Sequence, residues 1–210
     1  MKKFTTLTSK VAPYIQNDTN TDQIIPSEFL KDINADLKFG LFAYLRRNSK
    51  GESLKKFILE KDFFIDSKIL LVGRNFGCGS SREHAVWALQ EFGFLCIIAL
   101  SFSELFKNNC LKNGILTIEL SEEKFLKLKD IFIDEINFNL LTVDLINQTL
   151  VDQTGNEISK FDIDINSKLM LTQGLDEIDL TLKELNKIKN WESKLEPISL
   201  LLQKSIAEFL

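Results

Sequence analysis

Three of the nine glycines of this 210-residue chain, Gly73, Gly77 and Gly79, fall within seven residues and lead directly into Ser80, Ser81 and Arg82. Glycine admits positive φ and the close approach of a ligand, and the first N–H groups of a following helix carry partial positive charge. Two hydroxyls and a guanidinium at a helix start suit an anion, a carboxylate as well as a phosphate. The run G-R-N-F-G-C-G is not G-x-G-x-x-G, and no Lys follows as in a P-loop, so dinucleotide or triphosphate binding is a weak match. Two plainer readings fit the same residues: glycines that only make a tight strand-to-helix turn, and a Ser80-x-x-Glu83 capping box. His84, the one histidine, has no second imidazole with which to share a metal and reads as a packed or hydrogen-bonding helix residue. Cys78, Cys96 and Cys110 are odd in number, with spacings of 18 and 14, which suits neither a disulfide framework nor a compact zinc or iron–sulfur site. Reduced thiols and no metal ligands are expected.

The surrounding pattern supplies elements to hold this loop. KILLVG (68–73) reads as a buried strand, REHAVWALQEFG (82–93) as a helix closed by Gly, LCIIAL (95–100) as a second buried strand, and SFSELFKNNCLKNG (101–114) as a helix opened by Ser and closed by Asn-Gly. The order β–loop–α–β–α predicts an α/β core with at least two parallel strands. Upstream, NDTNTDQIIP (17–26) reads as a loop after a short strand. DLKFGLFAYLRR (36–47), apolar at Leu37, Leu41, Tyr44 and Leu45, reads as a surface helix despite Gly40, and RNSKGES (47–53) as an exposed loop. Residues 131–165 alternate apolar and polar around DQTGN (152–156), which predicts a β-hairpin. The end is helical by period, interrupted by Pro197, with Ile198, Leu201, Leu202 and Phe209 on one face of a last helix.

Hydrophobic residues make up 44% and charged residues 27%, as in ordinary globular chains. With 26 basic against 30 acidic residues, a net charge of −4 and a pI near 5.2, the chain lacks the basic footprint expected of nucleic-acid or anionic-membrane binding. Its longest uncharged run, residues 92–103, is twelve long, short of the roughly 18 that suggest a membrane span. The start MKKFTTLTSK has no apolar stretch of signal-peptide length, so a cytoplasmic location is expected.

Four ordered blocks carry a family resemblance. NFGCGSSREHAVWAL (75–89), with NTDQIIP (20–26), IIALSFSELFKNNCLKNGIL (97–116) and TQGLDEIDLTL (172–182), resembles the small-subunit family of the 3-isopropylmalate dehydratases, leucine-pathway relatives of aconitase. The resemblance implies an aconitase-type swivelling β/β/α domain with a partly parallel sheet over residues 1–196, and a helical extension of that domain over 197–210. It implies no cofactor on this chain, a [4Fe-4S] cluster on a large-subunit partner, and a dicarboxylate substrate isomerised from 2-isopropylmalate to 3-isopropylmalate through 2-isopropylmaleate.

By the same resemblance Ser80 is the catalytic base. Ser81 and Arg82 hold a substrate carboxylate, Asn75, Gly77 and Gly79 shape the loop, and Thr21 and Asp22 face it from the earlier segment. A serine hydroxyl is a very weak acid, so its alkoxide needs support from N–H groups and a nearby guanidinium. Two departures from the family pattern stand out. Val86 replaces a common proline, and the segment between PSEFL (26–30) and FGLF (39–42) carries only Lys31 and Lys38 where the family usually has an Arg. Lysine does not reproduce a bidentate guanidinium, which bears on substrate identity. The alternatives are the small subunit of a homoaconitase or methylmalate-type hydro-lyase and, in another class, a non-catalytic phosphate- or nucleotide-binding module.

Overall fold

The computed structural model describes residues 1–31, 35–133 and 140–195. The chain divides into two compact units, Met1–Gly174 and Leu175–Leu210. In the first, the strands are β1 (Thr6–Tyr14), β2 (Ile69–Val72), β3 (Cys96–Ala99), β4 (Leu116–Glu119), β5 (Leu140–Asp144), β6 (Thr149–Val151) and β7 (Glu157–Lys160). Its helices are α1 (Thr21–Ile24), α2 (Leu37–Gly40), α3 (Ala43–Arg46), α4 (His84–Phe92), α5 (Glu104–Lys112), α6 (Glu122–Phe132) and α7 (Ile165–Gln173). The second unit contributes α8 (Glu177–Lys183) and α9 (Leu185–Glu192) among the described residues.

Among the described residues the strands form one sheet in the order β4-β3-β2-β1-β5-β6-β7. β1 is its pivot: it pairs in parallel with β2 and antiparallel with β5. The β4-β3-β2-β1 half is parallel throughout. Covered on both faces, its strands alternate core against core rather than core against solvent. Leu70, Val72, Ile97 and Ala99 face one apolar cluster, with Ala85, Val86, Leu89 and Phe106 of α4 and α5. Ile69, Leu71, Cys96, Ile98, Leu116 and Ile118 face the other, with Phe125, Leu128 and Leu171 of α6 and α7. This is why KILLVG and LCIIAL read as unbroken apolar runs.

The antiparallel half reads differently because it has an outer face. Leu141 and Val143 are buried while Leu140 is exposed, and the Thr8 and Thr142 hydroxyls pair on the outside at 2.8 Å. The turn predicted at 152–156 joins β6 and β7, but the arm before it is not one strand: β5 and β6 pair antiparallel, so the segment is a three-stranded meander rather than a single hairpin. Asp152 shapes its turn by accepting from the N–H of Thr154 at 2.8 Å and of Asn156 at 2.9 Å, with Gly155 at φ +88°. The alternating segment does not begin at residue 131, which still belongs to α6, and its residues 134–139 lie outside the described residues. The expected extension over 197–210, and the face with Ile198, Leu201, Leu202 and Phe209, lie outside the described residues.

One predicted helix is not continuous. The segment 36–47 forms two single turns, α2 and α3, broken at Phe42, whose φ of +48° is left-handed. The break buries the Phe42 ring completely and lets its N–H reach the C=O of Ile24 at 2.7 Å. Gly40 packs so closely that a Cβ would stand 2.9 Å from the Phe29 side chain. Tyr44 and Leu45, expected on the core face, are 67% and 38% exposed.

Candidate active site

β1 and β2 run in parallel side by side, so the segments that leave their carboxyl ends meet at one edge of the sheet. Such ends are where α/β sheets gather ligand-binding residues. Here the two segments are laced together. The Gly73 N–H donates to the Gln16 C=O at 3.2 Å, Arg74 N–H to Asn17 Oδ1 at 2.8 Å, and Asp18 N–H back to the Arg74 C=O at 2.8 Å. Further on, Gly77 N–H donates to the Thr19 C=O at 2.8 Å and Thr21 N–H to the Cys78 C=O at 2.9 Å. On its other side the loop is held by the turn after β3: Asn75 N–H bonds Ser101 Oγ at 2.9 Å, Phe76 N–H the Ser101 C=O at 3.1 Å, and Ser103 N–H the Phe76 C=O at 3.0 Å. A loop tied on both sides presents its tip in a fixed position.

The glycines fit this close lacing. Gly77, at φ +76°, has the Phe106 ring where its Cβ would be, and at Gly73 a Cβ would meet Asn17 Oδ1 and the Gln16 C=O at 2.5 Å. Gly79, at φ +98°, faces Asn20 and Thr21 at ordinary contact distance. The structure brings Ser80 and Thr21 together, with their hydroxyl oxygens 3.0 Å apart. It also brings Arg82 and Asp22 together as an ion pair through Arg82 Nη1 and Asp22 Oδ1. Ser80 and Ser81 are exposed. Asn75 does not join them: at φ +55° it turns its amide to donate to Asp18 Oδ1 at 2.8 Å, bracing the two segments.

Two sequence expectations are corrected. Ser80, Ser81 and Arg82 do not open the helix, which begins at His84 with Glu83 in the cap position and no side-chain cap. The Ser80–Glu83 capping box is therefore absent. Glu83 instead accepts from Asn113 Nδ2 at 2.8 Å, and the Ser80 hydroxyl meets Thr21. The capping box of this region belongs to α1: the Asn20 side chain accepts from Gln23 N–H, and the Gln23 side chain accepts from Asn20 N–H, each at 2.8 Å.

Sequence reasoning missed Asn113, whose side chain also bonds Trp87 Nε1 at 3.1 Å and the Asn109 C=O at 2.9 Å, coupling the end of α5 to α4. Its only signal was the Asn-Gly pair that closes α5. His84 packs on Trp87, ring centres 4.6 Å apart. Both line a cavity of about 430 Å³ with Leu30, Ala35, Leu37 and Glu91.

The cysteines do not form a ligand set. Cys96 and Cys110 lie in the two separate core clusters, burial pushes both thiols well up, and Cys78 stands apart in the loop. No group of three or more His, Cys, Asp or Glu able to hold a metal occurs among the described residues. Nor is any helix among them long and apolar enough to cross a membrane.

A mixed α/β unit that exposes two serines and an arginine from a laced glycine loop is of the aconitase type: the Aconitase C-terminal domain family matches residues 1–123. The 3-isopropylmalate dehydratase small subunit of Rhizobium etli is 46% identical over 195 residues, 92% of this chain and 96% of that protein. The protein of the same name from Paramagnetospirillum magneticum is 45% identical over 196 residues, 91% of this chain and 95% of its own. This chain belongs to the family of 3-isopropylmalate dehydratase small subunits. The fold agrees with the crystal structure of 3-isopropylmalate dehydratase (leuD) from Methanocaldococcus jannaschii, at a TM-score of 0.58 and 21% identity over 88% of this chain and 99% of that one.

Proposed function

We propose that this chain is the catalytic-loop half of a cytoplasmic 3-isopropylmalate dehydratase, active with a large subunit that carries the [4Fe-4S] cluster. The pair exchanges hydroxyl and hydrogen between neighbouring carbons, converting 2-isopropylmalate to 3-isopropylmalate through 2-isopropylmaleate in leucine biosynthesis. The observation that carries this reading is the exposed Ser80 hydroxyl at the tip of a loop tied down on both sides, with Arg82 beside it.

Ser80 Oγ takes the proton from the carbon next to a carboxylate, and the freed electron pair forms the double bond as hydroxide leaves the adjacent carbon. Water then adds back with the positions exchanged. A weakly acidic hydroxyl acts as base only where fixed dipoles stabilise its charge before the reaction. The N–H groups of residues 73–77 are spent on lacing the loop, but those of residues 79–82 have no acceptor among the described residues and flank Ser80. Arg82 uses Nη1 on Asp22, which orients the guanidinium, and keeps its other N–H groups for the substrate carboxylate with Ser81.

The test is co-expression with the large subunit and anaerobic assay of the unsaturated intermediate. The isolated chain is expected to be inactive and the assembled pair active. Ser80→Ala is expected to lose about 10²- to 10⁴-fold in rate, the usual worth of a positioned base. Retention of more than a few per cent of the rate in a pair whose unmutated form is active overturns the assignment. A related hydro-lyase of different side-chain preference is the second reading, favoured by Lys31 on the cavity wall and by Lys38, whose Nζ lies over the Phe92 ring at 5.8 Å. Turnover of a panel of 2-alkylmalates and homologous tricarboxylates separates the two.

A further inference from the structure

The Thr21 and Ser80 hydroxyls, 3.0 Å apart, lie in opposite surroundings. Thr21 is 1% exposed, whereas Ser80 is open to solvent. By distance alone either oxygen could accept, and burial decides between them. If Ser80 donated, the Thr21 proton would be shut in without an acceptor, because Ser80 is the one hydrogen-bond partner of the Thr21 side chain among the described residues. An unmade buried donor is costly, while a hydroxyl oxygen tolerates an unused lone pair. With Thr21 donating, its proton is satisfied and the Ser80 proton turns freely to solvent or ligand. Thr21 is itself anchored, by its N–H on the Cys78 C=O at 2.9 Å and by the capping box that starts α1.

We infer that Thr21 is a positioning residue for Ser80, donating a hydrogen bond that fixes the Ser80 oxygen and stabilises it when it carries negative charge. The inference rests on the reading of Ser80 as the base. Hydrogen bonds to an ionised oxygen are roughly twice as strong as those to a neutral one. The contact therefore gains strength as the proton leaves Ser80, which places its effect on kcat rather than on KM. Thr21 acts through Ser80 and does not itself hold substrate, since its side chain is enclosed by the two segments.

Thr21→Val removes the hydroxyl and keeps the shape, and Thr21→Ser keeps the hydroxyl. In the chain assembled with its large subunit, Thr21→Val is expected to lower kcat about 10- to 100-fold with KM within about twofold, while Thr21→Ser stays within about threefold of the parent. A second measurement needs no partner. In the full-length chain carrying Cys78→Ala, the remaining native thiols, Cys96 and Cys110, are buried, and a thiol introduced by Ser80→Cys is titrated by its alkylation rate against pH. Adding Thr21→Val is expected to raise the pKa of that thiol, because the thiolate loses its donor.

Parental kcat in Thr21→Val, or a thiol whose titration ignores Thr21, overturns the inference alone. Equal losses in Thr21→Val and Thr21→Ser point to packing and overturn it as well. A rate retained by Ser80→Ala instead overturns the base reading and this inference with it, so the two failures are told apart.

Discussion

Gly77 and Gly79 stand two residues apart in one loop, both at positive φ, yet they answer to different constraints. At Gly77 an added Cβ would lie 2.1 Å from Phe106 Cγ, and Phe106 is 2% exposed and packed edge-on against Phe76 at 5.4 Å. At Gly79 the nearest atoms would be 3.5 Å away, so only the φ of +98° resists a side chain. Gly77→Ala thus combines backbone strain with overpacking, together about 2–6 kcal/mol, while Gly79→Ala meets the strain alone, about 1–3 kcal/mol. Urea unfolding of the two variants is expected to rank them in that order. Equal losses would mean that the Phe106 ring shifts freely and that the loop is less tightly held than its contacts imply. The same attention to surroundings separates Ser80 from Ser81: of two adjacent exposed hydroxyls, only Ser80 has a buried partner, and no spacing rule distinguishes them.

At the scale of elements, what was legible in the sequence was what short-range pattern dictates. β2, α4, β3 and α5 stand close to where apolar runs and the closing Gly93 and Gly114 put them, because a strand buried on both faces has an unmistakable composition, but α4 and α5 start two and three residues later than the sequence suggests, at His84 and Glu104. β1 was legible only as a short strand, although it is the nine-residue pivot of the sheet. It serves a parallel and an antiparallel neighbour at once and carries Pro13, so neither pattern runs cleanly along it. The 36–47 segment misled because its apolar spacing is helical while tertiary packing of Phe42 breaks it. The site was legible in its residue types and not in its pairings: Asp22 with Arg82 and Thr21 with Ser80 are about sixty residues apart and meet only because β1 and β2 are neighbours.

The broken segment is held by a buried strut that the sequence did not announce. Arg46 Nε donates to Glu60 Oε1 at 2.6 Å, and Nη1 to the C=O of Lys38 and Leu41 at 2.9 and 3.0 Å, with the guanidinium 4.9 Å over the Phe92 ring. Burial works to raise the Glu60 carboxyl, but hydrogen bonds from Ser53 and Arg46 and the charges of Arg46 and Arg47 outweigh it, holding it below the usual carboxylate range. A carboxyl depressed in the folded state contributes stability above its unfolded pKa, near 4.3, and loses it as pH falls through the folded value. The parent is therefore expected to lose stability more steeply below about pH 4.3 than Glu60→Gln, which lacks that titration. Arg46→Ala is expected to cost about 1.5–3 kcal/mol at neutral pH, because it takes the charged donor from a half-buried carboxylate that keeps only Ser53. Parallel stability–pH curves for the parent and Glu60→Gln would show that the strut is not ionic.

At the scale of the whole molecule, the two core clusters end at Leu171, and no described residue from 175 to 195 is buried. The first unit also closes on itself. Gly174, left-handed at φ +70°, ends α7 and accepts the Met1 ammonium at 3.0 Å, while the Phe4 N–H bonds the Leu171 C=O at 2.8 Å. A Cβ at Gly174 would stand 2.7 Å from the Met1 C=O, so the chain end and the last helix of the unit are fitted to each other. Folding stability follows apolar area removed from water, and on that basis residues 175–195 are expected to contribute little to the transition of the first unit. A chain ending at Gly174 is expected to keep a single cooperative thermal transition, with its midpoint within about 3 °C of the full-length value, a shift of roughly 1 kcal/mol or less at this size. Calorimetry checks this. Loss of cooperativity would mean that the later residues complete the core, and a preserved fold with lost activity in the assembled enzyme would assign them to the partnership between subunits.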